Sequence, residues 1–296
     1  MKKAANTSDL ASSEKLWASE AFWRSYCPSM HILDGEYLNS QPLFSVDGQT
    51  AENLKELVGT EGYFQLLPNE WNLPLAEMAA LAARLDKEGI PAPFVFVFDE
   101  FWLLGVKVKS LVEAVLGPAF MRLPDFWAWH VDPQRGDSGW KPHRDKGYRA
   151  LREDGSTKAL TIWLPLTDAT TLNGCMYIVP ANRDPTYGTP MDDDWKFEYS
   201  DIRALPAPAG TIFGWNQAVL HWGSNTSPRE TRPRISVAFE FQAMDIEPFN
   251  QPLMNPQSVP DFPSRLRLIA KQILQYQHMY PLSDEVRGIA EKIAAT

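Results

Sequence analysis

Ala159-Leu160-Thr161-Ile162-Trp163-Leu164-Pro165-Leu166 is a short apolar run rich in β-favouring residues, and it reads as a strand. The same signature recurs from Arg122 to Val131, around Phe126-Trp127-Ala128-Trp129-His130. It appears again at Cys175–Val179, Thr211–Trp215 and Arg234–Phe241. Clusters of Pro, Gly, Asn and Asp punctuate these runs, and no helical pattern separates them. Strands at this density predict a mainly β, antiparallel sandwich or barrel rather than a parallel sheet.

Outside this block the pattern changes. Residues 1–12 are polar and expected to be loose, whereas Leu16, Trp17, Ala21, Phe22 and Trp23 recur at helical spacing over Ser12–Tyr26. A second helix is predicted over 50–58, with Leu54 and Leu57 on one face, followed by a strand over Gly62–Leu67. Asn72–Lys87 reads as a helix with Asn72 as cap, Pro74 in its first turn and Gly89 after its end. Phe94–Phe98, between Pro93 and Asp99, reads as a buried strand, and a helix is predicted over 100–116. Two more helices are expected over 261–279 and 283–294. Residues 183–202 form an irregular insertion carrying Asp192-Asp193-Asp194, expected to be a lid or specificity loop. The expected organisation is one domain over 1–296, with a mostly helical part to 120, a β core over 120–242 and helices over 243–296.

The 44% hydrophobic fraction of the 296 residues is ample for a sizeable core. Eleven Trp and 24 Pro suit short strands and turns better than a helical bundle. A net charge of −9 argues against nucleic acid as a partner. Two cysteines, Cys27 and Cys175, give neither a disulfide framework nor a four-thiolate zinc site, and they fit a reducing compartment. The first nine residues lack the apolar core of a signal peptide, and no run is long enough to cross a bilayer. A cytoplasmic protein with no membrane partner is expected.

The chemistry-bearing residues cluster in Gly139-Trp140-Lys141-Pro142-His143-Arg144-Asp145. In extended chain, residues two apart share a face, so His143 and Asp145 can grip one ion together. The pair alone carries little weight. Acids make up 37 of 296 residues, so five histidines should give fewer than one chance match, yet His130-Val131-Asp132 also fits. His221, in Ala218-Val219-Leu220-His221-Trp222-Gly223-Ser224, ends an apolar strand at a polar turn and supplies a third ligand. Two His and one carboxylate on one face leave three positions open, the arrangement of non-haem iron oxygenases. Arg232 follows 11 residues later, where a guanidinium can clamp a cosubstrate carboxylate; Arg229 and Arg234 are rivals, and Arg234 shares its strand face. The chain has no Gly-x-Ser-x-Gly elbow, phosphate-cradling loop or His-Glu-x-x-His helix.

Over residues 120–242 the sequence resembles the phytanoyl-CoA dioxygenase-like iron(II)/2-oxoglutarate oxygenases. The likeness rests on three ordered blocks: Gly139–Asp145; Leu160–Leu166 with Asn173-Gly174-Cys175 and Val179-Pro180; and His221–Asn225 followed by Arg232 and Ser236. The resemblance implies a double-stranded β-helix, or jelly roll, of cupin-like form with helices outside. It implies His143, Asp145 and His221 as catalytic iron ligands, in preference to His130 and Asp132. It further implies Arg232 as the 2-oxoglutarate anchor, Trp163 as a pocket aromatic and Ser224 as a further polar contact. Arg144 stands where the family often has Gln, and Ala181-Asn182-Arg183 replaces a frequent Gly-Ser-His.

The activity implied is hydroxylation of a small molecule's C–H bond by Fe(II), 2-oxoglutarate and O2, with succinate as coproduct. Related halogenases carry a small residue in place of the carboxylate at Asp145, so its presence favours hydroxylation, desaturation or ring closure over halogenation. Two other readings use the same ligands: a cupin-like binding protein with a non-catalytic metal site, and a zinc hydrolase or isomerase. Arg232 has no obvious role in the last. No Lys/Arg cluster suits coenzyme A phosphates, which points to a small or apolar substrate.

Overall fold

A computed structural model describes residues 16–66 and 70–295. The expectations for residues 1–12, for the start of the Ser12–Tyr26 helix and for Leu67 fall outside them.

The helical N-terminal part comprises α1 (Glu20–Tyr26), α2 (Gly35–Ser40), α3 (Gly48–Thr60), α4 (Leu75–Lys87), α5 (Asp99–Lys107) and α6 (Lys109–Leu116). Side chains that accept from exposed first-turn amides set three starts: Ser19 for α1, Asp34 for α2 and Asp47 for α3. Four local expectations need correction. Asn72 does not cap α4; it sits at φ +50°, and the helix begins after Pro74 without a side-chain cap. Phe94–Phe98 is not a strand but part of a 3-10 helix, Ala92–Val97, whose φ is preset by Pro91 and Pro93. A fully apolar run shows no period, so burial alone could not separate the two. The helix predicted over 100–116 breaks at Val108 into α5 and α6. In α3 the buried face is Leu54 and Val58, while Leu57 is exposed.

Of the eight strands, seven follow the predicted runs, and Arg203–Leu205 was not expected. The eight are β1 (Tyr63–Leu66), β2 (Phe120–Val131), β3 (Ala159–Pro165), β4 (Met176–Val179), β5 (Arg203–Leu205), β6 (Ile212–Asn216), β7 (Leu220–Gly223) and β8 (Arg234–Ala243). They form a five-stranded antiparallel sheet, β1-β6-β3-β8-β2, and a three-stranded one, β5-β4-β7. This is the mainly β jelly roll with flanking helices expected from the sequence.

Strand alternation sorts the faces. On β8, Ile235, Val237, Phe239 and Phe241 join the large apolar cluster under the helices, which draws on residues from Trp17 to Ile293. Arg234, Ser236, Ala238, Glu240 and Gln242 alternate with them and turn to the inside, and every β8 residue is buried. The C-terminal helices α7 (Phe262–Gln275) and α8 (Asp284–Ala294) pack on that outer layer. Arg265 on α7 meets Asp99 of α5 at 2.5 Å with both side chains fully buried. Asp99 also accepts the amides of Leu33 and Asp34, which joins both ends of the chain. Among the described residues no helix is long and apolar enough to cross a membrane.

Candidate metal centre

His143 and Asp145 lie on an irregular segment rather than a strand, and pairing with β7 fixes its place. The amides of His143 and His221 donate to each other's carbonyls at 3.0 Å, an isolated antiparallel bridge. Two glycines allow this approach: a Cβ on Gly139 would come within 2.5 Å of the Gly223 Cα, and one on Gly223 equally close to Gly139.

One ligand atom from each of His143, Asp145 and His221 falls within 4.8 Å of the other two. Both imidazole Nε2 atoms stand 3.5 Å from Asp145 Oδ1. Facial ligands of a first-row metal lie roughly 3 Å apart, so small side-chain shifts close the set. The remaining polar atoms are all committed elsewhere. His143 Nδ1 lies 2.7 Å from the Lys141 carbonyl and His221 Nδ1 lies 3.0 Å from that of Val219. A carbonyl only accepts, so each Nδ1 carries the proton and each Nε2 presents its lone pair. Asp145 Oδ2 accepts from the Thr161 hydroxyl at 2.7 Å and from the Trp215 indole at 3.0 Å, which leaves Oδ1 facing the histidines. His143 Nε2 is buried without a hydrogen-bond partner among the described residues. An unmet lone pair, a free carboxylate oxygen and two fixed tautomers fit a cation at their focus.

Electrostatics agree. Burial pushes the His221 imidazole down to about 4, against the pull of Asp145, so it is neutral and able to ligate at neutral pH. Burial would raise the Asp145 carboxyl, but His221, His143 and the Thr161 hydrogen bond outweigh it and hold it low. Burial also opposes the charged form of His143, yet its contact with Asp145 leaves it raised.

The three side chains open on a cavity of about 50 Å³, whose wall includes Trp163, Arg234, Glu240 and a run of aromatic rings. Trp163 is buried on β3 in this wall, with the Arg234 guanidinium 5.6 Å from its ring centroid. Arg232 is a correction. Its side chain is 67% exposed and held by Glu230 at 3.2 Å, outside the cavity wall. The strand begins at Arg234, after Pro233, so alternation does not extend back to Arg232. Arg234 occupies the inner position instead. It is fully buried, donates Nη1 to Ser236 Oγ at 2.6 Å, and forms no ion pair among the described residues. Its Nε lacks a partner, and Gly139 and Gly223 leave room beside its Nη2 that a Cβ would fill. Burial pushes this guanidinium down to about 10, still cationic at neutral pH, so it fits a carboxylate it does not yet have. Ser224 is outside the cavity wall, with its hydroxyl by the Cys175 thiol.

Arg144 does not reach the centre either. It turns into the 183–202 insertion, with Nη2 2.6 Å from Asp184 Oδ2, Nε donating to the Asp192 carbonyl and Nη1 to that of Ala218. Asp192, in the acidic run of the insertion, is buried and accepts the Tyr148 amide. His130 points away from the centre, beside Asp86 at 3.3 Å and Arg135 at 3.2 Å. The sequence reading missed Thr161, Glu240, Asp125 and Tyr276, and the hydrogen bond from Trp215 to Asp145. Only Glu240 left a sequence signal, a charge on the Arg234 face of an apolar strand. Burial pushes its carboxyl up to about 8 despite Lys146 at 3.2 Å.

A profile of the family described as "Phytanoyl-CoA dioxygenase (PhyH)" matches residues 77–233. No curated protein matches the sequence. Among solved structures, the non-heme monooxygenase ThoJ in its nickel complex is 17% identical, covering 80% of this chain and 99% of its own at TM-score 0.53. The epimerase SnoN, in complex with Fe3+, alpha-ketoglutarate and nogalamycin RO, is 18% identical, covering 73% and 96% at TM-score 0.51. HygX from Streptomyces hygroscopicus, with nickel and 2-oxoglutarate bound, is 12% identical, covering 68% and 88% at TM-score 0.50. At these identities the likeness is one of fold.

Proposed function

Because this chain belongs to the phytanoyl-CoA dioxygenase family and is an iron(II)/2-oxoglutarate-dependent oxygenase, we propose that it hydroxylates a C–H bond of a small molecule. In this reading His143, Asp145 and His221 hold the iron, and Arg234, in place of Arg232, anchors 2-oxoglutarate. The observation that carries it is the convergence of two Nε2 lone pairs and one carboxylate oxygen within 4.8 Å beside a buried, unpaired guanidinium.

Iron(II) with 2-oxoglutarate and O2 supplies the oxidising power, as 2-oxoglutarate is decarboxylated to succinate. The Lys141 and Val219 carbonyls hold the histidines in the ligating tautomer. Thr161 and Trp215 keep the second oxygen of Asp145 occupied, so Oδ1 alone would be offered to the iron. Arg234 orients the cosubstrate through its far carboxylate, and Trp163 walls that side against water. SnoN, of like fold, is an epimerase, so fold alone does not set the outcome; the intact Asp145 carboxylate disfavours halogenation and leaves hydroxylation, desaturation and ring closure.

Anaerobic reconstitution with Fe(II) and 2-oxoglutarate tests the centre. Wild type should develop a metal-to-ligand absorption band that Asp145→Ala loses. No band in wild type, with an identical spectrum for Asp145→Ala, would end the reading. Hydroxylation is tested by succinate release across candidate substrates: the product should gain one oxygen atom from O2, and an isomerised or desaturated product would overturn it.

A further inference from the structure

Gln217 opens the turn that leads from β6 to β7 and His221, and it is fully buried. It holds the surroundings of Asp145 in two ways. Its main-chain carbonyl accepts the amides of Lys146 and Gly147, at 3.0 and 3.1 Å, directly after Asp145 in the chain. Its side chain reaches the row that Glu240, Thr161 and Trp215 form as cross-strand partners on β8, β3 and β6. There Nε2 donates to Glu240 Oε2 at 2.8 Å and to Thr161 Oγ1 at 3.2 Å. Thr161 in turn donates to Asp145 Oδ2 at 2.7 Å.

The direction of these bonds is fixed. Glu240 Oε2 also meets the Lys146 ammonium at 3.2 Å, so it accepts from both neighbours and any proton on the carboxyl is left to Oε1. The Gln217 atom that faces it is therefore the amide nitrogen, whichever charge Glu240 carries. One amide hydrogen goes to Glu240 and the other to the Thr161 oxygen. A hydroxyl that accepts there directs its own hydrogen away, and the bond behind it strengthens its donation to Asp145. Packing alone would favour an apolar side chain of the same length, because Gln217 Oε1 is buried without a partner among the described residues.

We propose that Gln217 is a positioning residue of the metal centre, acting through Thr161 to keep Oδ2 of Asp145 engaged and Oδ1 turned to the iron. The inference rests on the reading of His143, Asp145 and His221 as iron ligands. Trp215 donates to the same oxygen at 3.0 Å, but an indole N–H only donates and transmits nothing from a further neighbour. The Thr161 hydroxyl accepts and donates at once, so it is the link through which Gln217 reaches Asp145. Without the Gln217 N–H, Thr161 holds Asp145 less strongly. The carboxylate then keeps more of its charge and more freedom to turn.

The test is a double-mutant cycle on Fe(II) affinity. Fe(II) is titrated into the anaerobic protein with excess 2-oxoglutarate, and the metal-to-ligand absorption band is followed. Thr161→Val removes the hydroxyl and should weaken Fe(II) binding by at least about tenfold, as loss of a ligand's hydrogen-bond partner does. Gln217→Met, apolar and of like length, should weaken it by at least about fivefold. The double variant should bind within about twofold of Thr161→Val alone, because the two residues act in series. Each single variant should also move the band to longer wavelength, since a carboxylate with weaker hydrogen bonds donates more charge to the iron. The inference is overturned if Gln217→Met binds Fe(II) within about twofold of wild type, if its loss multiplies with that of Thr161→Val, or if its band stays in place. Gln217→Leu takes its place if Gln217→Met does not fold, and failure of both to fold would make Gln217 a residue of the fold and overturn the inference too. Absence of the band in wild type overturns the iron-centre reading itself; a wild-type band with an unmoved Gln217 variant overturns this inference alone.

Discussion

Replacing Arg234 with alanine removes the buried cation that faces the cavity, whereas Arg232→Ala removes an exposed side chain tied to Glu230. Hydrogen bonds to charged groups are worth about 1.5–3 kcal/mol each. Arg234→Ala is therefore expected to raise the 2-oxoglutarate concentration for half-maximal succinate formation by on the order of 100-fold. Arg232→Ala should change it less than about threefold, in keeping with the small worth of exposed pairs. A large effect at Arg232 and none at Arg234 would reverse the assignment. Glu240 gives a pH signature. Its carboxyl is raised from 4.5 to about 8 in the folded protein, chiefly by burial. The folded state therefore holds this proton more tightly than the unfolded chain. Its stabilising effect is full below pH 4.5 and is lost as pH rises towards 8. Denaturant midpoints measured across this window should fall, and Glu240→Gln should flatten the decline.

At the scale of elements, the 183–202 insertion is fastened to the segment that carries His143 and Asp145. Arg144 makes the join, with a buried carboxylate partner in Asp184 and two carbonyls. Removing one partner of a buried pair costs about 3–5 kcal/mol, because the other charge is left without compensation. Arg144→Ala should lower stability by that order and expose the insertion to limited proteolysis. An insertion equally resistant in wild type and variant would show that Arg144 does not hold it. Most strand positions were legible because apolar β-rich runs bounded by turn residues are local pattern, whereas the one cap read from the sequence, Asn72, is not a cap. Phe94–Phe98 was not legible, since a run buried on all sides has no polar face to reveal its period.

At the scale of the molecule, apolar residues from Trp17 to Ile293 share one core cluster, and Asp99–Arg265 ties the N-terminal helices to α7. We propose on this basis that the described chain unfolds as one cooperative unit, as expected of a single domain. Calorimetry should give one transition whose calorimetric and van't Hoff enthalpies agree. Arg265→Met should shift that whole transition down by about 3–5 kcal/mol, the cost of isolating a buried charge. Two separable transitions, with Arg265→Met affecting only one, would divide the chain.

The sequence by itself determined the β-rich core, its helical flanks and the candidate triad, because side-chain period, turn residues and ligand chemistry are written in local order. Only the tertiary structure placed Arg234 rather than Arg232 in the cavity wall, turned Arg144 outward into the insertion, and gathered Glu240, Asp125 and Tyr276 in that wall. Those outcomes depend on where β8 begins, how closely Gly139 meets Gly223, and which side chains from distant segments share one enclosed volume. Such distances arise when the sheets close on each other, and residue spacing does not encode them.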